Sequence, residues 1–513
     1  MSYRSVRELL RVRAALDDHV AYGAGREGRV LTYADLAAVT AQWADPLVEQ
    51  GLRPGHRAAL LLQDPLTFVP AYLGLIAAGV TVLPLNAEAP DGEWSRLAGT
   101  LGADVVVTDR ETAPDAFPRI WRAAEGRLVE EVARRGPGTF EPPREQHGQV
   151  RPAVLLGSSG TTGAPKVVPL RESQLLYVAR RVAAHHRLGP DERGYSPLPL
   201  FHINAQVVGV LSTLVAGSSL VLDRRFHRTG FWSLLDSWDV TWLNAVPAIL
   251  AILARSEAPD EETARRVRFA RSASAPLPRP VLERFEEHCR VPIVETYGMT
   301  EAAAQITANP VPPAAGSAGS VGLPVGVDLQ VVDARRRPCA PGEIGSVEIR
   351  GPSVVRHYVV TDAEGGEHLR SARTADGWLV TDDLGYLDED GFLFLVGRAD
   401  DVINRGGEKV YPKPVEDVLR AHPDVDQVAV VGRPDPVLGQ TPVAYVTADR
   451  TADRARLVEE LGALAASRLS APDRPMRYLV VDGMPSGPTG KINRNRLSDL
   501  EVDEAASVTA RAS

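Results

Sequence analysis

A segment rich in glycine and hydroxyl residues combines side-chain types that suit the binding of an anion. It reads LLGSSGTTGAPKVVPL over residues 155–170. Glycines expose backbone N–H groups, serine and threonine add donors, and Lys166 supplies one positive charge. Apolar residues flank the segment, which favours a polyphosphate-binding loop over a flexible linker. It is not a Walker A motif, because that motif has glycine directly before the lysine.

Lysine is scarce in the rest of the chain. Four lysines, Lys166, Lys409, Lys413 and Lys491, occur among 57 lysine and arginine residues. An ammonium differs from a guanidinium in size and hydrogen-bond geometry. Each lysine is therefore a candidate for a specific role, with retention by chance as the alternative.

The loop lies within an alternation of predicted strands and helices. We predict an amphipathic helix over 32–50 with Thr32 as its N-cap. The charged, proline-bearing residues 112–148 are predicted to form a surface excursion. The alternation predicts an α/β fold with doubly wound parallel sheets. Buried strands are predicted at 57–63, 81–85, 103–109, 152–157, 218–223, 240–247 and 292–298.

The pattern changes to short strands and turns from about residue 320, which predicts a small β-rich subdomain. After Arg398, strands alternate with helical segments at 412–423 and 452–469. This arrangement predicts a compact α+β C-terminal domain that ends in a frayed tail.

Composition argues against several classes of protein. The net charge of −9 is unlike that of a nucleic-acid-binding protein, and the two cysteines suit a reducing cytoplasm. The first residues lack the apolar core of a signal peptide, and the most apolar window, 71–85, is too short to span a bilayer. We expect a cytoplasmic protein without nucleic-acid or membrane partners.

The glycine-rich segment resembles the phosphate-loop signature of the adenylate-forming superfamily, which contains acyl-CoA synthetases, nonribosomal-peptide adenylation domains and luciferases. Further family motifs follow in order, so the resemblance covers nearly the whole chain. They are PLFHIN (199–204), YGMTE (297–301), TDDLGYLDEDGF (381–392), GRADDVINRGGEKVYP (397–412) and PTGKINR (488–494).

The resemblance implies an AMP-forming acid ligase that uses ATP, Mg²⁺ and, by default, CoA. A carboxylate attacks the α-phosphate of ATP, pyrophosphate leaves, and a thiol then displaces AMP. The resemblance also implies a domain division. An N-terminal domain, 1–397, would bind ATP and the acid, and a hinge, 398–401, would lead to a small mobile C-terminal domain, 402–503, and a flexible tail, 504–513.

The motifs imply which residues contact the nucleotide. Tyr297 would stack on adenine with residues 272–276 on its other face, and a packed core tyrosine is the alternative. Asp383 and Arg398 would bind the ribose. Position 382 departs from the family pattern, because Asp382 replaces the usual glycine and would raise the pKa of Asp383 or bend the turn. The implied ATP-binding residues are Ser158, Ser159, Gly160, Thr161, Thr162, Gly163, Lys166, Ser274, Ala275, Pro276, Tyr297, Gly298, Asp383 and Arg398.

The resemblance also implies the catalytic residues. Lys491 would bridge the attacking carboxylate and the α-phosphate, Thr300 would contact phosphate, and Glu301 would bind Mg²⁺. A helix N-cap is the alternative for the threonine–glutamate pair. His202 would gate the thiol path or bind the acid, and a core histidine is the alternative.

The C-terminal motifs imply a second arrangement of the two domains. Asp400 matches the family's hinge residue. After rotation, Gly406 and Gly407 would let a narrow pantetheine arm pass close to the backbone, and Lys409 would act in the thiol half-reaction or contact the acceptor. No role is implied for Lys413.

The candidate acid pocket is polar, with Asn204, Asn244 and Gln305 as its main members. A fatty-acid tunnel would be apolar, so we expect a small polar acid. The motifs around residues 295–310 and 403–412 look closest to oxalate–CoA ligase and related small-acid enzymes. The wider pocket set is His202, Asn204, Gln206, Asn244, Ser272, Ser274, Gln305, Thr307 and Asn309.

The sequence leaves more than one acceptor for the activated acid open. No carrier domain follows Lys491, so we expect a stand-alone enzyme with CoA as acceptor. One alternative is an enzyme that passes the activated acid to an amine, including adenylation of nitrous acid to diazotise an aromatic amine. A nucleotide-binding protein without catalysis is another alternative, against which Lys166, Glu301 and Lys491 argue.

Overall fold

The computed structural model describes most of the chain. The described residues are 3–49, 51–90, 92, 94, 99, 101–110, 117, 119–124, 127–134, 151–158, 166–362, 366–448, 453–485, 492–500 and 508–509.

Strands alternate with helices through the N-terminal part of the chain, as the apolar runs predict. The strands up to residue 398 are β1 Val20–Ala24, β2 Arg29–Thr32, β3 Arg57–Leu61, β4 Thr81–Pro84, β5 Val105–Thr108, β6 Arg119–Ala124, β7 Arg127–Arg134, β8 Val154–Ser158, β9 Lys166–Leu170, β10 Arg193–Ser196, β11 Ser219–Leu222, β12 Trp242–Ala245, β13 Phe269–Ser272, β14 Ile293–Tyr297, β15 Thr307–Ala308, β16 Leu323–Pro324, β17 Asp328–Val332, β18 Gly345–Arg350, β19 His357–Thr361, β20 Glu367–Ser371, β21 Leu379–Leu387 and β22 Leu393–Arg398.

Two nine-stranded sheets form the large N-terminal part. One has the order β16-β15-β14-β13-β12-β10-β11-β1-β2 and the other the order β20-β19-β9-β8-β4-β3-β5-β6-β7. The central strands of each sheet are parallel, and the edge strands are antiparallel. The predicted α/β class is confirmed, with antiparallel edges added to the parallel centres.

Helices cover these sheets and close the core between them. The helix Pro65–Ala77 is buried from Pro65 to Ile76, and the largest cluster of buried side chains draws residues from both sheets. Thr32 precedes the helix Tyr33–Glu49 as predicted, and its Oγ1 lies 3.1 Å from the backbone N of Asp35. The helices are α1 Val6–Arg13, α2 Tyr33–Glu49, α3 Pro65–Ala77, α4 Glu172–His185, α5 Ser212–Ala216, α6 Phe231–Ser237, α7 Pro247–Leu253, α8 Glu261–Arg266, α9 Arg279–Cys289, α10 Pro412–Arg420 and α11 Arg454–Arg468, with a π-helix at Ala205–Leu211.

The prediction of a surface excursion over residues 112–148 is wrong for its central part. Strand β6 pairs in parallel with β5, and β7 pairs with β6, so both extend the second sheet. Ile120 and Trp121 are buried there. Arginines interrupt the apolar run of β6, which hides the strand from a search for apolar runs.

The predicted β-rich subdomain is a four-stranded sheet of order β17-β18-β21-β22. It is antiparallel throughout. Strand β22 then leads through a 3₁₀ turn, Ala399–Asp401, into the C-terminal part.

The C-terminal part is a compact α+β unit, as predicted. Helices α10 and α11 pack on its six-stranded sheet. Within the predicted tail, the strand Val508–Thr509 pairs with the strand Arg477–Val480. The strands of this sheet are β23 Ile403–Arg405, β24 Glu408–Val410, β25 Val425–Asp435, β26 Gly439–Ala448, β27 Arg477–Val480 and β28 Val508–Thr509.

None of the helices in the described ranges combines the length and the apolar character that a membrane span requires.

Candidate active site

A hydrogen-bonded group joins the YGMTE motif to the TDDLGY motif. The hydroxyl of Tyr297, at the end of β14, donates to Oδ2 of Asp383 in β21. Nη1 of Arg398, the last residue of β22, lies 3.3 Å from Oδ1 of Asp383. Burial, followed by the charge of Asp383, raises the pKa of the Tyr297 hydroxyl, so it remains a donor at neutral pH. The structure thus brings three predicted nucleotide contacts together.

The backbone conformation of Asp382 explains why glycine is the usual residue at this position in the family. Its φ is 61°, in the left-handed region that glycine adopts freely and that aspartate tolerates better than most residues. Its Oδ2 lies 3.6 Å from Nη2 of Arg398. The two neighbouring carboxylates therefore share one guanidinium, which offsets their mutual repulsion.

Glu301 and Lys166 both contact Tyr358, a residue that the sequence analysis missed. The Tyr358 hydroxyl donates to Glu301 Oε1 at 3.3 Å. Lys166 Nζ lies 5.5 Å from the centre of the Tyr358 ring. Burial raises the pKa of Glu301, while Tyr358 and the charges of Lys166 and Arg398 lower it. No pattern in the sequence around Tyr358 distinguishes it from an ordinary strand residue.

The turn after β14 packs tightly on itself. A Cβ at Gly298 would lie 1.5 Å from the carbonyl oxygen of Ala304, so only glycine fits. Thr300 is the first residue of a 3₁₀ turn, Thr300–Ala302, whose N-cap is Met299. The alternative role of Thr300 as the helix N-cap is therefore wrong.

The three main residues of the predicted acid pocket converge on Arg271, which the sequence analysis did not select. Nη1 of Arg271 lies 3.1 Å from Oδ1 of both Asn204 and Asn244, and Nη2 lies 3.3 Å from Oε1 of Gln305. Arg271 is in β13 and is only 2% exposed. Burial lowers its pKa to about 9, so it remains charged at pH 7.

Other members of the wider pocket set are committed to the backbone. Thr307 Oγ1 donates to Val321 O at 2.6 Å, and Asn309 Nδ2 to Ser320 O at 2.7 Å. Gln206 Nε2 donates to Leu200 O at 2.9 Å. These contacts give the three residues a structural role. Ser274, in contrast, is exposed with a φ of 72°, and its Oγ lies 3.4 Å from Asn204 Nδ2.

His202 and the other residues of segment 272–276 are close in sequence to pocket residues Asn204 and Ser274. The His202 ring lies 4.2 Å, centre to centre, from that of Phe201. Ala275 and Pro276 follow Ser274 in the connection between β13 and α9.

The predicted hinge adjoins a charged anchor within the C-terminal unit. Asp400 is exposed in the turn after β22. Asp401 Oδ2 lies 3.5 Å from Nε of Arg494, whose Nη1 lies 2.7 Å from Oε1 of buried Glu416. Leu497 is fully buried in a cluster with residues of β25 and β26. Residues 492–500 are thus fixed to the same unit as the turn.

Gly406 and Gly407 have a local structural reason to be glycine. They form the two-residue turn between β23 and β24, with φ values of 59° and 91°. A turn of this kind needs positive φ at both central residues. Lys409 is exposed on β24, and Lys413 Nζ lies 2.8 Å from Asp417 Oδ2 on α10.

Several predicted residues lie outside the described residues. These are Lys491 and the loop residues Ser159, Gly160, Thr161, Thr162 and Gly163, and the side chain of Ser158 is likewise not described. The strands on either side of the loop are described: β8 and β9 pair antiparallel, with Ser158 opposite Lys166.

Comparison with known proteins identifies the family. The model of the AMP-binding enzyme family matches residues 11–359, and that of the AMP-binding enzyme C-terminal domain matches residues 414–491. Together they cover most of the chain.

Named relatives align along nearly the full length. A sulfoacetate–CoA ligase from Cupriavidus necator is 34% identical over 501 residues, covering 92% of each chain. An oxalate–CoA ligase from Arabidopsis thaliana is 33% identical over 481 residues, covering 90% of this chain and 92% of the relative. The structure of the o-succinylbenzoate CoA synthetase from Bacillus subtilis with ATP and magnesium superposes with a TM-score of 0.80 at 28% identity, over 96% and 99% of the two chains. The resemblance in the sequence motifs is thereby confirmed, and the chain belongs to the AMP-binding enzyme family as an ATP-dependent, AMP-forming acid–CoA ligase.

Proposed function

We propose that the chain adenylates a small polar acid in the pocket around Arg271 and transfers the acyl group to CoA. The convergence of three amide side chains on one buried guanidinium is the observation that carries this proposal. A long apolar acid would give the buried charge of Arg271 no polar partner, which disfavours its binding.

The substrates named for the relatives support a small polar acid. Sulfoacetate, oxalate and o-succinylbenzoate are the acids of the three relatives described above. All three relatives act with CoA, which favours a thiol acceptor over the amine acceptor.

The side chains around Glu301 suit a magnesium ion that is completed by substrate phosphates. Glu301 offers one hard carboxylate oxygen in a buried position, and Mg²⁺ uses one or two such ligands. When bound, Mg²⁺ would supply positive charge next to the phosphates. Lys166, which lies 5.5 Å from the centre of the Tyr358 ring, would add a second positive charge.

The nucleotide would lie between the carboxyl end of β14 and the subdomain sheet. Asp383 would accept the ribose hydroxyls, held in place by Tyr297 and Arg398, and the Tyr297 ring would cover the base. Segment 272–276 would close the opposite face, and Thr300 and the loop 158–163 would bind phosphate.

The first half-reaction brings together two anions, the acid carboxylate and the α-phosphate. Lys491 would lie between them, since two unit charges ~4 Å apart interact by roughly 4 kcal/mol at an effective dielectric near 20. Rotation about Asp400 would then remove Lys491 and bring Gly406, Gly407 and Lys409 to the acceptor path, where His202 would gate the thiol.

Two assays test this proposal. Pyrophosphate–ATP exchange with a panel of acids should show that short polar acids support exchange and that fatty acids do not. AMP release in the presence of the active acid should then depend on CoA. Exchange driven by fatty acids, or AMP release that requires an amine and not CoA, would contradict the proposal.

A further inference from the structure

We infer that Arg271 binds a second anionic group of the acid, so the substrate is a short dianion that carries one carboxylate to be activated and one further carboxylate or sulfonate. This inference rests on the proposed function and narrows the class of acid.

Arg271 is buried without the partner that a buried arginine normally has. Its hydrogen-bond acceptors among the described residues are the neutral amide oxygens of Asn204, Asn244 and Gln305. Arginine is rarely this buried unless it is paired with an acid, because removing its charge from water is unfavourable. Within the described ranges, no carboxylate forms an ion pair with it.

Arg57 shows the usual arrangement in the same protein. It is 6% exposed, and its Nη1 and Nη2 lie 2.5 and 2.7 Å from the two carboxylate oxygens of Glu367. The contrast indicates that the counter-charge of Arg271 comes from outside the described residues.

Two buried donors at this place have no acceptor in the described part of the chain. They are Nε of Arg271 and Nε2 of Gln305, which belong to side chains already hydrogen-bonded to each other. Buried donors are almost always satisfied, so an acceptor is expected here. An oxoanion meets this requirement, since it offers several acceptor oxygens and one negative charge.

The titratable neighbours of Arg271 do not supply that charge. Burial, followed by the charge of Arg271, lowers the pKa of both His185 and His186, so both rings are neutral at pH 7. Arg268, which also acts on His186, is paired with Glu192 at 2.8 Å. The region around Arg271 thus keeps one uncompensated positive charge.

The location of Arg271 agrees with a contact to the acid. It lies at the carboxyl end of β13, directly before segment 272–276, and Gln305 follows the turn that carries Glu301. Ligands bind at the carboxyl ends of parallel strands in open α/β sheets. Asn204 links Arg271 to the exposed Ser274, so the polar group extends from the interior toward solvent.

The test compares acids matched in length in pyrophosphate–ATP exchange: propionate against malonate and sulfoacetate, and butyrate against succinate. We expect kcat/KM for the preferred dianion to exceed that of its monoanion by about 100-fold or more. Arg271→Met should raise KM for this dianion by about 100-fold and leave KM for ATP within about twofold, while Arg271→Lys should lose less.

Arg57→Met is the matched control, because it removes a buried arginine that has its own acid partner. It should lower the melting temperature without changing the ratio of dianion to monoanion activity. If Arg271→Met does not fold, a second measurement on the wild-type enzyme tests the inference. Non-reactive disulfonates should inhibit pyrophosphate–ATP exchange more strongly than monosulfonates of equal length. Equal use or equal inhibition by monoanions and dianions, or an unchanged KM in Arg271→Met, would overturn the inference alone. Absence of exchange with every acid would overturn the proposed function as well.

Discussion

The Tyr297 hydroxyl donates a hydrogen bond to Asp383 across 86 residues of sequence, and this bond holds the YGMTE turn against the strand pair β21–β22 of the subdomain. The aromatic ring proposed to cover the base and the carboxylate proposed to bind the ribose therefore set each other's position. Each motif on its own is weak evidence for a nucleotide site. The hydrogen bond between Tyr297 and Asp383 joins the two motifs into one candidate surface for the nucleotide.

Tyr297→Phe should raise KM for ATP by about tenfold with little change in kcat. The reason is that a hydrogen bond to a charged carboxylate, worth about 1.5 kcal/mol or more, no longer fixes Asp383. Pyrophosphate exchange at varied ATP concentration measures this effect. Tyr177→Phe is the control, since it removes a hydroxyl that donates to a backbone oxygen, Gly326 O, at 2.8 Å and not to a proposed nucleotide contact. A fall in KM for ATP would show that Tyr297 competes with the ribose for Asp383.

Lys491→Ala should lower the rate of adenylation by about 10²–10³ and should largely spare the transfer of a synthetic acyl-adenylate to CoA. A charge that acts on the α-phosphate has no part in the second step. Single-turnover assays of the two half-reactions separate these effects. Lys413→Ala, which removes an ammonium paired with Asp417, should change neither step by more than about threefold. An equal loss in both half-reactions would refute the role of Lys491.

Asp382→Gly should preserve or raise the melting temperature, whereas Asp382→Ala should cost about 1 kcal/mol. The φ of 61° is free for glycine and strained for alanine. The half-exposed contact to Arg398 adds little to the stability of the folded state. Thermal unfolding of the three proteins checks this order. A glycine variant less stable than the alanine variant would show that the carboxylate matters more than the backbone.

Glu295→Gln should stabilise the protein above pH 7 and have little effect at pH 5. Glu295 is 7% exposed, and burial raises its pKa from 4.5 to about 7, against the lowering effect of Lys413 on α10. The folded state therefore holds a proton that the unfolded chain has released, so stability falls as the pH rises from about 4.5 to 7. At about 1.4 kcal/mol per pKa unit, the gain at pH 8 is at most about 3.5 kcal/mol.

Denaturant unfolding at pH 5 and pH 8 measures this difference. Glu348→Gln is the matched control with the opposite sign, because Glu348 is 2% exposed and lies 2.9 Å from Arg336. It should destabilise the protein at pH 8. A stability difference between Glu295→Gln and the native chain that does not change with pH would contradict the assignment.

The sequence was sufficient to predict the strands and helices where apolar runs are continuous. Strands β3, β4, β5 and β11 follow from such runs, and the C-terminal helices follow from their period. Strand β6 was missed because Arg119 and Arg122 interrupt it, although Arg119 is itself buried. Strand β6 is defined by its pairing with β5, and a pattern within the segment itself does not show this pairing.

The sequence predicted the candidate site residues that lie in or near a family motif. It missed Arg271 and Tyr358, which contact those residues but belong to no such motif. Asn204, Asn244 and Gln305 were selected as polar residues near motifs, but the residue that joins them was not. An arginine inside the short apolar strand β13 was the available signal, since a charge is unexpected at a buried strand position. Tyr358 contacts Glu301 only because β19 pairs with β9, which is a property of the fold.

The anchoring of residues 492–500 by Arg494 and Leu497 has a practical consequence for following the enzyme at work. Ile492, the residue after Lys491, packs against the C-terminal sheet. A fluorescent dye on that sheet therefore follows the position of residues 492–500 without a change to the lysine. Val437, 85% exposed in the turn between β25 and β26, is a suitable attachment point. The rotation about Asp400 proposed above would then change the energy transfer between a dye at residue 437 and a second dye on the N-terminal sheets in each turnover.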